Sequence, residues 1–377
     1  MSADKPPTAY LDHAATSPVD ERVAAAMLEA LQRTFGNPSS RHPVGLAAER
    51  LVRTARQRVA ARCGVEASQV VFTSGGTEAL ALGLLGGLRR GGSPAHLLLS
   101  AVEHAAVRET AKLAQAAGHL VETVPVGPGG WVDPEELGRR VRPDTALVAL
   151  MHVNNETGVV QPVAECARQV KARQPRCPIL VDAVQSFTWL PTHLSHLGAD
   201  LLALSGHKIH GPKGVGALVL APGARVAPLW GGGDQEGGRR AGTENVPGIV
   251  GLGLAAELAT GPTEGVRELA DRLARAVQAI APAAYLLGEP TRLAPQIRSV
   301  ALPGRRAEVL VNALAEAGVF VSSGSACHAR QGLRSHVTEA MGVPESHAVL
   351  RFSLSRSTTP AEIETACLVL ERVLRST

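Results

Sequence analysis

A chain of 377 residues is too long for one small core and predicts either two domains or one large domain with a smaller one. Hydrophobic residues make up 45% and charged residues 19%, as in a globular protein, and no apolar run reaches the roughly 18 residues that mark a membrane span. The net charge of +4 is spread without a block of like charges and aromatic residues are only 3%, so neither a membrane nor a nucleic acid is expected as a direct partner.

In chain order, the opening MSADKPPTAYLDHAAT has no basic stretch followed by an apolar one, which predicts a cytoplasmic location. Residues 44–63 carry apolar positions at helical spacing with arginines on the other face. Short apolar runs at 69–73, 96–102, 120–126, 146–153, 178–184, 201–205 and 216–221 read as strands. Helical stretches at 75–90, 104–117, 133–141 and 162–173 lie between most of them. This alternation predicts an α/β fold with a mostly parallel seven-stranded sheet flanked by helices. A ligand of such a sheet belongs at the carboxyl ends of its strands. The pattern changes near 260–265. A helix at 264–281, a strand at 297–303, a helix at 306–317, strands at 319–323 and 350–355 and a last helix from 360 read as a smaller α+β domain.

Chemistry gathers where strands end. In VVFTSGGTEALAL a strand runs through a glycine-rich turn into a helix, so Gly75, Gly76 and Thr77 offer backbone N–H groups and a hydroxyl to an anion. Many α/β turns look the same. In ILVDAVQS, Asp182 stands just past a buried strand, where it is either a helix cap or the partner of a cation. In LLALSGHKIHGPKG, Lys208 follows a buried strand and is either a surface lysine or an amine held out of water for Schiff-base chemistry. The chain has only five lysines against thirty-three arginines, and Lys208 and Lys213 are two of them. An anion cradle, a lysine for an aldehyde and a carboxylate for a ring nitrogen are together the contributions a protein makes to a pyridoxal phosphate (PLP) site.

Cysteine usage adds one further question. None of Cys63, Cys166, Cys177, Cys327 and Cys367 forms a C-x-x-C pair, so neither a zinc site nor a disulfide framework is expected. Cys63, Cys166 and Cys367 sit in apolar helical patterns, and Cys177 opens an apparent strand, which reads as core packing. Cys327 instead lies in VSSGSACHA, among small polar residues.

The motifs YLDHAATSPV, GNPSSRHPVG, FTSGGTEA, VEHAAV, HVNNETGVVQP, VDAVQS, SGHKIHGPKGVGAL, GGGDQEGGRRAGTEN, SSGSACHA and LRFSLSRSTT follow one another in an order that resembles the cysteine desulfurases. These are class-V aminotransferase-family enzymes of PLP fold type I, and the SGSAC loop is similar to that of their first group. The resemblance implies that residues 18–260 form the large PLP-binding domain and that residues 1–17 and 261–377 form the small one. It makes Lys208 the Schiff-base lysine. Gly76, Thr77, Ser205 and His207 bind the phosphate, and Asp182 pairs with the ring nitrogen. Gln185 and Asn155 contact the ring's phenolic oxygen or the substrate, and His104 stacks on the ring and moves protons. Thr243 reaches the phosphate of a neighbouring subunit, which implies a homodimer. Asn37 and Arg351, with Asn155 nearby, bind the substrate carboxylate.

The resemblance also makes Cys327 the nucleophile. It takes sulfur from L-cysteine, leaving L-alanine, and carries it as a persulfide to an acceptor such as an iron–sulfur scaffold or a thiolation protein. No resident metal is expected, although Cys327 could transiently ligate an iron–sulfur cluster. His13, His328 and Ser355 depart from the usual family pattern. The Cys327–His328 pair is also similar to selenocysteine lyases, so a selenocysteine lyase or another class-V PLP enzyme is the alternative. A non-catalytic sulfur-carrier scaffold is a third reading, against which Lys208, Asp182 and His104 speak.

Overall fold

The computed structural model describes residues 9–89, 94–261, 263–324 and 334–376. It opens with β1 (Ala9–Tyr10), followed by α1 (Glu21–Arg33) and α2 (Pro43–Cys63). The side chain of Asp20 caps the first of these helices. Pro43 at the start and a left-handed Gly64 just past the end bound the second.

The expected seven strands then appear as β2 (Val70–Thr73), β3 (His96–Ser100), β4 (Leu120–Val124), β5 (Thr145–Met151), β6 (Ile179–Asp182), β7 (Leu201–Ser205) and β8 (Gly216–Leu220). They form one sheet in the order β2-β8-β7-β6-β5-β3-β4. β8 runs antiparallel to both of its neighbours, and every other pair is parallel. The central strands are buried along their whole length, and apolar but for Asp182 and Ser205 at the ends of β6 and β7, because helices cover both faces, as parallel sheets require. α3 (Gly76–Leu88), α4 (Ala105–Ala116), α5 (Pro134–Arg140) and α6 (Val163–Arg173) supply most of that cover, and the two faces carry separate apolar cores.

α1 is absent from the sequence expectations, and so is α8 (Val246–Leu258), which packs against α1 and α2. α8 is apolar on all sides and rich in glycine, so it shows no helical period to read. The short α7 (Leu194–Leu197) lies between β6 and β7.

After α9 (Glu264–Ile280), the strands β9 (Tyr285–Leu286), β10 (Ile297–Pro303) and β12 (His347–Ser353) make a three-stranded antiparallel sheet in the order β12-β10-β9. α9, α10 (Ala307–Glu316) and the last helix, Pro360–Ser376, close a further core over it around Leu302, Leu350, Phe352 and Leu370. The strand expected at 319–323 is only β11 (Val319–Phe320), and its partner is β1, which runs parallel to it. Beyond Phe320 the chain turns to β12 through a single bridge between Ser322 and Arg351.

Candidate active site

The parallel strands place their carboxyl ends around a cavity of about 220 Å³. At one edge β2 ends in the turn Ser74-Gly75 and α3 begins at Gly76. The turn lies against β8 because Gly216 has no side chain: a Cβ there would stand 2.6 Å from the carbonyl carbon of Gly75 and 2.6 Å from the oxygen of Leu204. Gly76 is similarly confined, since a Cβ on it would stand 3.0 Å from Val184 and 3.2 Å from the Ser205 side chain. The cavity therefore meets the N-terminus of a thirteen-residue helix, where backbone N–H groups have no partner inside the helix. Thr77, Ser205 and His207 line the same cavity.

Asp182 ends β6 and is 6% exposed. Its Oδ1 accepts from the backbone N–H of Val184 at 2.9 Å, so it caps a tight turn and not a helix. Burial pushes its pKa up, while the nearby His104 and Lys208 pull the other way. His104 caps α4: its Nδ1 accepts from Ala106 N–H at 3.1 Å, which places the proton of the neutral ring on Nε2.

Lys208 closes the turn after β7. Its Nζ donates to the carbonyl oxygens of Ala14 and Ala15, at 2.6 Å each. Gln185 donates to Ala14 as well, at 2.9 Å. His207 faces the hydroxyl of Thr16 at 3.2 Å, and burial together with Lys208 and Lys213 holds its pKa at about 4, so it is neutral at pH 7. The N-terminal segment 14–16 thus forms part of the surroundings of the lysine.

Nine of the residues singled out in the sequence converge here: Gly76, Thr77, His104, Asn155, Asp182, Gln185, Ser205, His207 and Lys208. Three others stand elsewhere. Thr243 lines a different cavity of about 190 Å³, together with Ser74, Glu236 and Arg240. Asn37 is exposed, and its side chain accepts from Ser39 N–H at 2.9 Å. Arg351 is not among the residues that line the cavity; it donates to the carbonyl of Asn155, which does line it, at 2.9 Å and to Asp12 at 2.6 Å. Cys327 lies outside the described residues.

Cys63, Cys166 and Cys177 are buried, and burial pushes their thiols up to about 12, which leaves them protonated and inert at neutral pH. Cys367 is half-buried on the last helix.

Two acidic residues near the site are not singled out by the sequence. Glu103 is fully buried. Its Oε1 accepts from the Ser100 hydroxyl at 2.5 Å and from Met151 N–H at 2.8 Å, while Oε2 has no partner among the described residues. Its place beside His104 in VEHAAV is the only hint in the sequence. Asp12 pairs with Arg351 across the fold, a contact that no local pattern discloses.

The pattern of the aminotransferase class-V family matches residues 9–365, and the chain belongs to that family. The family's enzymes are PLP-dependent. Within it, the chain is 44% identical over 370 residues to a cysteine desulfurase of Cereibacter sphaeroides, covering 97% of this chain and 95% of that one. Among solved structures, a NifS-like protein matches with a TM-score of 0.92 at 34% identity, covering 98% of this chain and all 100% of that one. A structure described as SspA in complex with cysteine matches with a TM-score of 0.81 at 30% identity, covering 93% of this chain and 100% of that one.

Proposed function

We propose that this protein is a PLP-dependent cysteine desulfurase that takes sulfur from L-cysteine and releases L-alanine. The observation that carries the reading is the convergence of Lys208, Asp182 and His104 on one cavity at the carboxyl ends of the sheet, beside a glycine-bounded helix N-terminus. The full-length likeness to cysteine desulfurases supports it.

The residues fit PLP. Gly76, Thr77, Ser205 and His207 surround a place for its phosphate, Asp182 supplies a buried carboxylate for the ring nitrogen, and Lys208 supplies the amine for the aldehyde. Asn155, Gln185 and His104 complete the lining. When bound, PLP supplies an electron sink for the substrate's α-carbon. Lys208 takes the α-proton and returns a proton as alanine leaves. Arg351 and Asn37, with Asn155, serve the substrate carboxylate. The Cys327 thiolate attacks the substrate sulfur: an S–S bond forms, the substrate's C–S bond breaks, and the carbon gains a proton. L-cysteine and the Cys327 thiol thus become L-alanine and a persulfide, with no external oxidant. The persulfide sulfur then passes to a protein acceptor, such as an iron–sulfur scaffold or a thiolation protein.

The reading includes a homodimer in which Thr243 serves the neighbouring phosphate site. Two observations support it. Thr243 does not line its own subunit's cofactor cavity. Leu28, Leu31, Phe35, Val44 and Leu46 are exposed near one another in sequence, from α1 into the start of α2, and Phe35 reaches 77%. No helix among the described residues is long and apolar enough to cross a membrane; the proposed location is the cytoplasm.

The test is alanine and sulfide production from L-cysteine with a reductant, run beside L-selenocysteine. Turnover of L-cysteine supports the proposal, and turnover confined to selenocysteine overturns it. Cys327→Ala is expected to keep PLP and lose sulfide release; full activity in that variant would remove the nucleophile assignment.

A further inference from the structure

We propose that Asp12 is a positioning residue for the substrate carboxylate: it anchors the Arg351 guanidinium at one nitrogen and leaves the N–H groups that neither Asp12 nor Asn155 takes for the substrate. The inference rests on the reading of Arg351 as the carboxylate-binding residue.

Arg351 lies within β12 and is 2% exposed. Its guanidinium has five N–H bonds in a rigid plane. One terminal nitrogen donates to the carbonyl of Asn155 at 2.9 Å, and the other donates to Asp12 Oδ1 at 2.6 Å. Nε is buried and has no partner among the described residues. A buried donor left unpaired is costly, so the group retains a demand that an incoming carboxylate would meet. Its position suits that demand, because Asn155 lines the cavity and the carbonyl of that same residue accepts from Arg351, which puts the guanidinium one residue from the cavity.

Asp12 can act as an anchor because its own backbone is fixed. It forms a bridge with Ser353, two residues along β12 from Arg351. On either side of it, Ser353 N–H donates to Leu11 at 2.8 Å and His13 N–H donates to Ser353 at 3.2 Å. Ala14 N–H also binds the Ser353 hydroxyl, at 2.9 Å. The carboxylate therefore meets the guanidinium from a fixed direction, and its charge offsets the burial of the cation. Without it, the fork would lose both its orientation and its counter-charge.

The experiment uses the PLP-loaded enzyme and the variants Asp12→Asn, Asp12→Glu and Arg351→Lys. It measures KM and kcat for L-cysteine, and calorimetric binding of L-alanine and of L-alaninamide, which lacks the carboxylate. Asp12→Asn is expected to raise KM and weaken L-alanine about tenfold, the scale of one hydrogen bond to a charged group. kcat should change far less, and alaninamide binding should not follow. Asp12→Glu should recover part of the loss, which also serves if Asp12→Asn folds poorly. If Arg351→Lys raises KM and Asp12→Asn does not, Asp12 is a structural partner only and the proposal falls while the role of Arg351 stands. If neither variant moves KM or alanine binding, the reading of Arg351 fails and takes the proposal with it.

Discussion

The ammonium of Lys208 rests 2.6 Å from the carbonyl oxygen of Ala14, which lies 194 residues earlier in the chain. The lysine is therefore held by backbone acceptors, which no side-chain substitution in that segment removes. Ala15 provides the second acceptor at the same distance.

Lys208→Arg separates charge from chemistry. Arginine can still donate to the two carbonyls, so the fold should persist. Its guanidinium stays protonated and forms no Schiff base, so it can take no α-proton. Alanine formation should fall by about 10²–10⁴-fold or more. Turnover within tenfold of the unsubstituted enzyme would exclude Lys208 as the base.

Glu103 gives a prediction in pH. Burial pushes its pKa up to about 8; the bonds from Ser100 and Met151 pull it down in part, and the charge of Asp182 pushes it up again. In the unfolded chain a glutamate titrates near pH 4.3. Between those values the folded protein holds a proton that the unfolded chain has released. This contribution is fully present below about pH 4.3 and is lost as the pH rises towards 8. Glu103→Gln cannot ionise. In urea unfolding at a series of pH values, the stability of the unsubstituted protein should therefore decline relative to Glu103→Gln from about pH 5 to pH 8. Parallel curves would mean that Glu103 is ionised in the folded state.

Arg56 and Glu236 form a pair that should matter for stability rather than for turnover. The two carboxylate oxygens of Glu236 meet the guanidinium at 2.6 and 2.7 Å, and Phe72 N–H donates to one of them at 3.0 Å. The Glu236 side chain is only 2% exposed. Arg56→Ala strands that charge and should lower the unfolding free energy by about 3–5 kcal/mol. A loss below about 1 kcal/mol in chemical denaturation would show that water or another cation replaces the guanidinium.

The parts of the site readable from sequence are those that sit where strands end. Asp182 and Ser205 terminate apolar runs, while Gly76 starts the helix after one such strand and Lys208 closes the turn after another, so local patterning locates them. Asp12 escapes such a reading because its partner Arg351 is brought to it only by the packing of the N-terminal segment on β12. Glu103 escapes because a glutamate beside a histidine reads as polar surface until the fold removes it from water. α8 escapes it for the opposite reason, since a helix apolar on all sides has no polar stripe to set its period.

The pairing of β1 with β11 has a consequence for the order in which the molecule is made. Ala9 leaves the ribosome well before its partner Val319, by roughly 15–60 s at synthesis rates of about 5–20 residues per second. During that interval the large sheet can form, but the segment that supplies the acceptors for Lys208 has neither β11 nor β12 to lie against. A nascent chain arrested after β8 would hold that segment only by its bonds to Gln185 and to the turn around Lys208. The strand contacts that fix the segment thus come late in synthesis, when the last strands bring the first one home.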